Sequence, residues 1–130
     1  MWFNIHPESP IPIFEQIVSQ VIFNIAAGGL AAGDLIPSVR DLGRELTVHP
    51  NTVAKAFGEL ERLGVVTARR GRGMEVTPDA AKICHLQRRE RVGKRIREAL
   101  REAVSSGLSA EEIRRLVEEE TGRSNGRRRE

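Results

Sequence analysis

The side chains best suited to chemistry fall in three short runs. Arg40 stands in Pro37-Ser38-Val39-Arg40-Asp41-Leu42. His49, Pro50, Asn51 and Thr52 open a periodic apolar segment, and Lys55 follows one turn later. Arg69, Arg70, Gly71, Arg72 and Gly73 lie between two β-prone stretches. Amide, hydroxyl and imidazole groups can read base edges, and guanidinium forks suit phosphate. The same chain offers no nucleophile–base pair, no metal-ligand spacing and no Gly-x-x-x-x-Gly-Lys phosphate loop. Cys84-His85 is not a ligand pair, because adjacent helix positions diverge by about 100°. Cys84 therefore reads as a packed or surface thiol. These residues point to nucleic-acid contact and away from catalysis, metal binding or a cofactor.

Such side chains need elements to hold them. Ile13, Ile17, Val21 and Ile25, with Phe14, Val18 and Ile22, recur at helical spacing from Pro12 to the Gly28-Gly29 stop. Residues 30–36 read as a turn. A short helix over 38–46 carries Val39, Leu42 and Leu46 on one face, and Thr47-Val48-His49 is a tight turn. A third helix over 50–63 has Val53, Ala56, Phe57, Leu60 and Leu63 as its apolar stripe. Strands over 65–68 and 74–77 then flank the arginine-glycine turn as a hairpin. Residues 2–5 are a further extended candidate.

This order predicts a mainly α fold with a small β wing: a winged helix-turn-helix over 1–77, with helix 50–63 in the major groove and wing 69–73 in the minor groove. Ser38, Arg40, His49, Pro50, Asn51, Thr52, Lys55, Arg69, Arg70, Gly71 and Arg72 are the candidate DNA contacts. Plainer readings stand beside this one. Arg40 can pair with Glu45 on the surface, and the wing arginines can simply keep a hairpin tip soluble.

Past Pro78-Asp79 the character changes. A long helix to about Ser106 is broken at Gly107, and Ser109 with Glu112 forms a capping box for a last helix. Val92, Ile96, Leu100, Ala103 and Val104, then Ile113, Leu116 and Val117, form an apolar face that two helices cannot hide alone. Residues 78–121 are thus expected to pair with a second copy, the alternative being that the face folds back on its own chain. The polar tail 122–130 is expected to be disordered. The run from Arg88 to Arg95 reads as a solvated helical face.

Composition fits this division. Of the 130 residues, 39 % are hydrophobic and 30 % charged, an ordinary globular balance. Net charge is +3, yet residues 1–78 hold seven Lys/Arg against eight Asp/Glu. DNA affinity in that half must therefore come from where its few cations sit. Four Phe, one Trp and no Tyr are few for a single-strand binder built on stacking. One cysteine, no signal peptide and no long apolar run lead to the expectation of a cytoplasmic protein with no membrane contact.

Five stretches taken together resemble the GntR family of bacterial regulators. They are Ile11-Pro12-Ile13-Phe14-Glu15-Gln16-Ile17, Pro37-Ser38-Val39-Arg40-Asp41-Leu42, Val48-His49-Pro50-Asn51-Thr52-Val53, Leu60-Glu61-Arg62-Leu63-Gly64 and Arg69-Arg70-Gly71-Arg72-Gly73. The short two-helix C-terminal piece is similar to the YtrA subfamily. The resemblance implies a homodimeric repressor on a palindromic operator. Its DNA contacts would come from Arg40, the residues His49 to Thr52 that open the recognition helix, and Arg70 and Gly71 at the wing tip. It departs from the family at His49, where a small capping residue such as Asn or Ser is usual. Imidazole is a poorer N-cap, so the first turn is expected to be less firm. A small-molecule effector, unidentified, would sit at the dimer interface or between reader and module, and act by changing the distance or angle between the two readers.

Overall fold

The computed structural model describes residues 3–129. In order, the elements are α1 (Ile13–Ala26), β1 (Leu35–Ile36), α2 (Val39–Leu46), α3 (Pro50–Arg62), β2 (Val66–Arg69), β3 (Gly73–Val76), α4 (Ala80–Ser105) and α5 (Ala110–Arg129). The chain divides into one compact unit ending at Arg91 and a second beginning at Val92.

In the first unit, α1 buries Ile17, Val18, Val21, Ile22 and Ile25 along one side, as its spacing predicts. Helix α3 packs on both α1 and α2, and adds Val53, Ala56, Phe57 and Leu60 to the same core. Each fully buried aliphatic side chain of this kind stabilises the fold by about 1.5–3 kcal/mol. The three strands form an antiparallel sheet in the order β1-β3-β2. Val66 faces Val76 across the hairpin, and both are buried.

Three features depart from the sequence reading. Leu35–Ile36 is a strand rather than part of a turn: Leu35 pairs with Glu75 and Ile36 with Met74. Two residues carry no period of their own, and the partner that makes them a strand lies some forty positions on. The extended segment at the start is no strand either. Two glutamines of α1 bond to its backbone instead. Gln20 exchanges bonds with Asn4, its Oε1 accepting from the Asn4 N–H and its Nε2 donating to the Asn4 carbonyl, both at 2.7 Å. Buried Gln16 accepts from the His6 N–H and donates to the carbonyls of His6 and Ile11. Trp2 lies outside the described residues.

The third departure is the boundary. The first unit runs past residue 77 into α4, because Ala80 and Cys84 are buried in its core. Arg91 is also tied to Glu15 of α1 at 2.9 Å. The turns of α4 that follow Thr77 are thus core-forming, a role their sparse apolar residues do not advertise.

The second unit holds the rest of α4 and α5. Ser109 and Glu112 make the anticipated capping box: the Ser109 Oγ accepts from the Glu112 N–H at 3.1 Å, and a Glu112 carboxylate oxygen accepts from the Ser109 N–H at 3.0 Å. Helix α5 runs on to Arg129 rather than stopping at Gly122. Arginine, which fills four of the positions from 123 to 129, is a sound helix former, which works against the breaking effect of Gly122 and Gly126.

Candidate nucleic-acid interface

The site begins at the front of α2. Ser38 is its N-cap, with Oγ accepting from the Asp41 N–H at 3.1 Å. The cap aligns the first turn, and Arg40 in that turn is exposed. Leu42 and Gly43 face inward.

Helix α2 ends in a turn that only a special backbone allows. Thr47 is left-handed, with φ 56°, and the Val48 N–H donates to the Gly43 carbonyl at 2.9 Å. A Cβ on Gly43 would stand 2.9 Å from the Val48 carbonyl oxygen and 3.7 Å from Pro50 Cα. Helix α2 and the start of α3 therefore meet backbone to backbone, and the absence of a side chain at Gly43 sets their approach.

Helix α3 opens with Pro50 in its first turn, where the missing N–H costs nothing. His49 caps it. Its Nδ1 accepts from the Asn51 N–H at 3.0 Å, so the expected weakness of this turn is met by the ring itself. That bond leaves the proton of the neutral ring on Nε2. His49, Pro50, Asn51 and Lys55 are exposed and Thr52 is half-buried, while the core side chains of α3 point the other way. Lys55 Nζ lies 3.9 Å from the centroid of the Phe14 ring, a cation–π contact between α3 and α1. Asn51, Thr52 and Lys55 line one hollow of about 450 Å³ with Ile13 and Phe14.

The hairpin supplies the third part. The Arg72 N–H donates to the Arg69 carbonyl at 2.9 Å, and Gly71 and Gly73 adopt φ 78° and 99°, which L side chains rarely tolerate. Arg70, Gly71 and Arg72 form the exposed tip. Arg69 differs from its neighbours, because its Nε donates to Glu75 Oε2 at 2.6 Å. A groove of about 430 Å³ separates hairpin from α3, with Ser38, Val39, Phe57, Arg69, Arg70 and Met74 among its lining.

Elsewhere on α3, Arg62 is bonded to Glu59, which holds the Glu59 carboxyl below the usual carboxylate range. Burial pushes the Cys84 thiol up to about 11, so it is protonated at neutral pH. Among the described residues no group of three or more His, Cys, Asp or Glu side chains is placed to hold a metal. Among the described residues no helix is long and apolar enough to cross a membrane.

All eleven candidate contacts thus lie in the first unit, on the front of α2, the front of α3 and the hairpin. Four further residues were not singled out from the sequence. Gln16 acts on backbone ten and five positions upstream, Gly43 on backbone across a turn, and Glu75 on a side chain across a strand pair. Phe14 meets Lys55 from another helix. Only Gly43 carried a local signal, as a glycine inside an apolar helical pattern.

In the second unit Val92, Ile96, Leu100, Val104, Leu116 and Val117 are exposed large apolar side chains, and Ala103 and Ile113 are half-buried.

A helical core with a capped helix-turn-helix and an antiparallel hairpin defines a winged helix-turn-helix DNA-binding domain. The family described as "Bacterial regulatory proteins, gntR family" matches residues 13–76. The HTH-type transcriptional repressor YtrA of Bacillus subtilis is 32 % identical over 116 residues, covering 89 % of either chain. A GntR family transcriptional regulator from Listeria monocytogenes is 32 % identical with a TM-score of 0.67, over 86 % of this chain and 97 % of that one. AraR(DBD), crystallised in complex with operator ORX1, shares the fold at 22 % identity and a TM-score of 0.53, over 58 % of this chain and 96 % of that one. The chain belongs to the GntR family of bacterial, DNA-binding transcription regulators, and its likeness to YtrA extends over nearly its full length.

Proposed function

We propose that this chain is a repressor that binds a palindromic operator as a homodimer. The first turn of α3 enters the major groove, where His49, Pro50, Asn51 and Thr52 meet base edges and Lys55 meets phosphate. Ser38 and Arg40 hold the backbone at the front of α2. Arg70, Gly71 and Arg72 reach the adjacent minor groove. The observation that carries this reading is the outward start of α3: it is capped, and His49, Pro50, Asn51 and Lys55 are exposed, while Val53, Ala56, Phe57 and Leu60 of the same helix are buried. AraR(DBD), a protein of the same fold, has been crystallised with an operator, which supports duplex DNA as the partner. The repressor YtrA supports the direction of regulation.

Dimerisation follows from the apolar stripe of α4 and α5. Two copies joined along Val92, Ile96 and Leu100, with Ala103, Val104, Ile113, Leu116 and Val117 around them, would place two readers on half-sites about 34–36 Å apart, one turn of DNA. An effector, if the protein has one, acts by altering that spacing.

The test is duplex binding by fluorescence anisotropy at several salt concentrations, using a duplex enriched by the protein from a random pool. Arg40→Ala is expected to weaken binding at least tenfold, as about 1–3 kcal/mol per good contact implies, with the melting temperature unchanged. Unaltered affinity in a folded Arg40→Ala protein would refute the docking mode.

A further inference from the structure

Arg69 carries the same charge as Arg70 and Arg72 but not the same freedom. It ends β2, and its Nε donates to Glu75 Oε2 at 2.6 Å. The register explains how. Thr67 faces Glu75 and Arg69 faces Gly73, so Arg69 and Glu75 are diagonal neighbours on one face of the hairpin. The position directly opposite Arg69 is a glycine, which puts no side chain between guanidinium and carboxylate. Glu75 is itself held, because its strand is paired on both sides, by Thr67 and by Leu35. Its side chain is only 17 % exposed, against 56 % for Arg69. Among the described residues, Arg70 and Arg72 have no carboxylate partner.

We propose that Glu75 holds down the sequence-independent affinity by withholding Arg69 from the DNA backbone, so that each wing offers two free cations rather than three. This rests on the DNA-binding reading above. Phosphate contacts raise affinity for every sequence alike, whereas base contacts discriminate. A carboxylate that neutralises one wing cation lowers the background affinity and leaves the base-reading turn of α3 untouched. Glu75 is thus a positioning residue, acting on DNA only through Arg69.

Three variants of the full chain decide it, measured by anisotropy against a random-sequence duplex and the enriched duplex over a range of salt. Glu75→Gln keeps the shape but weakens the hold on Arg69. It should bind the random and the enriched duplex several-fold more tightly alike, leaving the ratio between them unchanged. Its plot of log affinity against log salt should steepen by up to about 0.9 per wing, the value for one phosphate contact. Arg69→Met in the unaltered background should leave the slope where it was, because no phosphate contact is lost. The double variant Arg69→Met/Glu75→Gln should return to the unaltered slope, because no guanidinium is left to reach a phosphate. A shallower slope for Arg69→Met, or a gain that persists in the double variant, would overturn the proposal. Should Glu75→Gln fail to fold, Arg69→Met decides alone. Failure of the unaltered protein to bind either duplex would sink both readings. Binding by the unaltered protein with no Arg69-dependent gain would sink only this one.

Discussion

In the proposed docking, His49 serves the helix and the groove with different atoms of one ring. Nδ1 accepts from the Asn51 N–H, which makes Nε2 a donor on an exposed edge. His49→Ala should therefore cost about 1 kcal/mol of stability, the ordinary loss for a removed N-cap, as read from denaturant unfolding. His49→Asn should recover that stability while changing the base preferred at one operator position in each half-site, as read from enrichment of random duplexes. The candidate contact residues were legible in the sequence because they sit in short runs whose order alone suggests their use. Glu75 and Gln16 were not. Each acts on a partner brought near only by strand register or by chain reversal, and the motifs beside them do not name that partner.

At the scale of elements, α1 to α4 and the hairpin were legible from period and punctuation, to within a residue or two, whereas the end of α5 was not. Strand β1 was not, because its identity is lent by β3. The angle between α2 and α3 was not either, since it depends on one missing Cβ. Gly43→Ala brings that Cβ to 2.9 Å from a backbone oxygen that cannot swing aside. The strain, about 1–3 kcal/mol for overpacking, should outweigh the roughly 1 kcal/mol that alanine gains in helix propensity. Lower stability together with weaker duplex binding is the expected outcome, checked by unfolding and anisotropy.

The front of α4 gives a second prediction at this scale. Burial raises the Cys84 thiol from 9.0 to about 11. Between those values the unfolded chain releases the proton and the folded chain keeps it, so stability falls as pH rises from 9.0 towards about 11. At about 1.4 kcal/mol per unit, the loss is of order 2 kcal/mol. Cys84→Ala should remove that part of the alkaline slope in urea unfolding. The native thiol should also resist alkylation at neutral pH until the chain is denatured.

For the whole molecule, the proposed function divides the labour of the two units between reading and pairing. Charge counts could not reveal this, because the excess of basic residues lies outside the reader. The apolar stripe of the second unit was visible in the sequence, since it repeats at helical spacing. What covers it was not, because no intrachain pattern names a partner. Leu100→Glu combined with Ile96→Glu should convert the protein to monomers in sedimentation velocity. Operator affinity should then fall by a factor of about 10²–10⁴ as the two half-sites lose their linkage, while the reader keeps its own fold.

The separation of faces on α3 has a consequence for how such proteins diverge. His49, Pro50 and Asn51 contribute nothing to the interior, whereas Val53, Ala56, Phe57 and Leu60 are wholly committed to it. A duplicated gene can thus change its genomic address through a handful of codons without renegotiating the scaffold. Lineages of this kind are free to accumulate new targets faster than they accumulate new architectures.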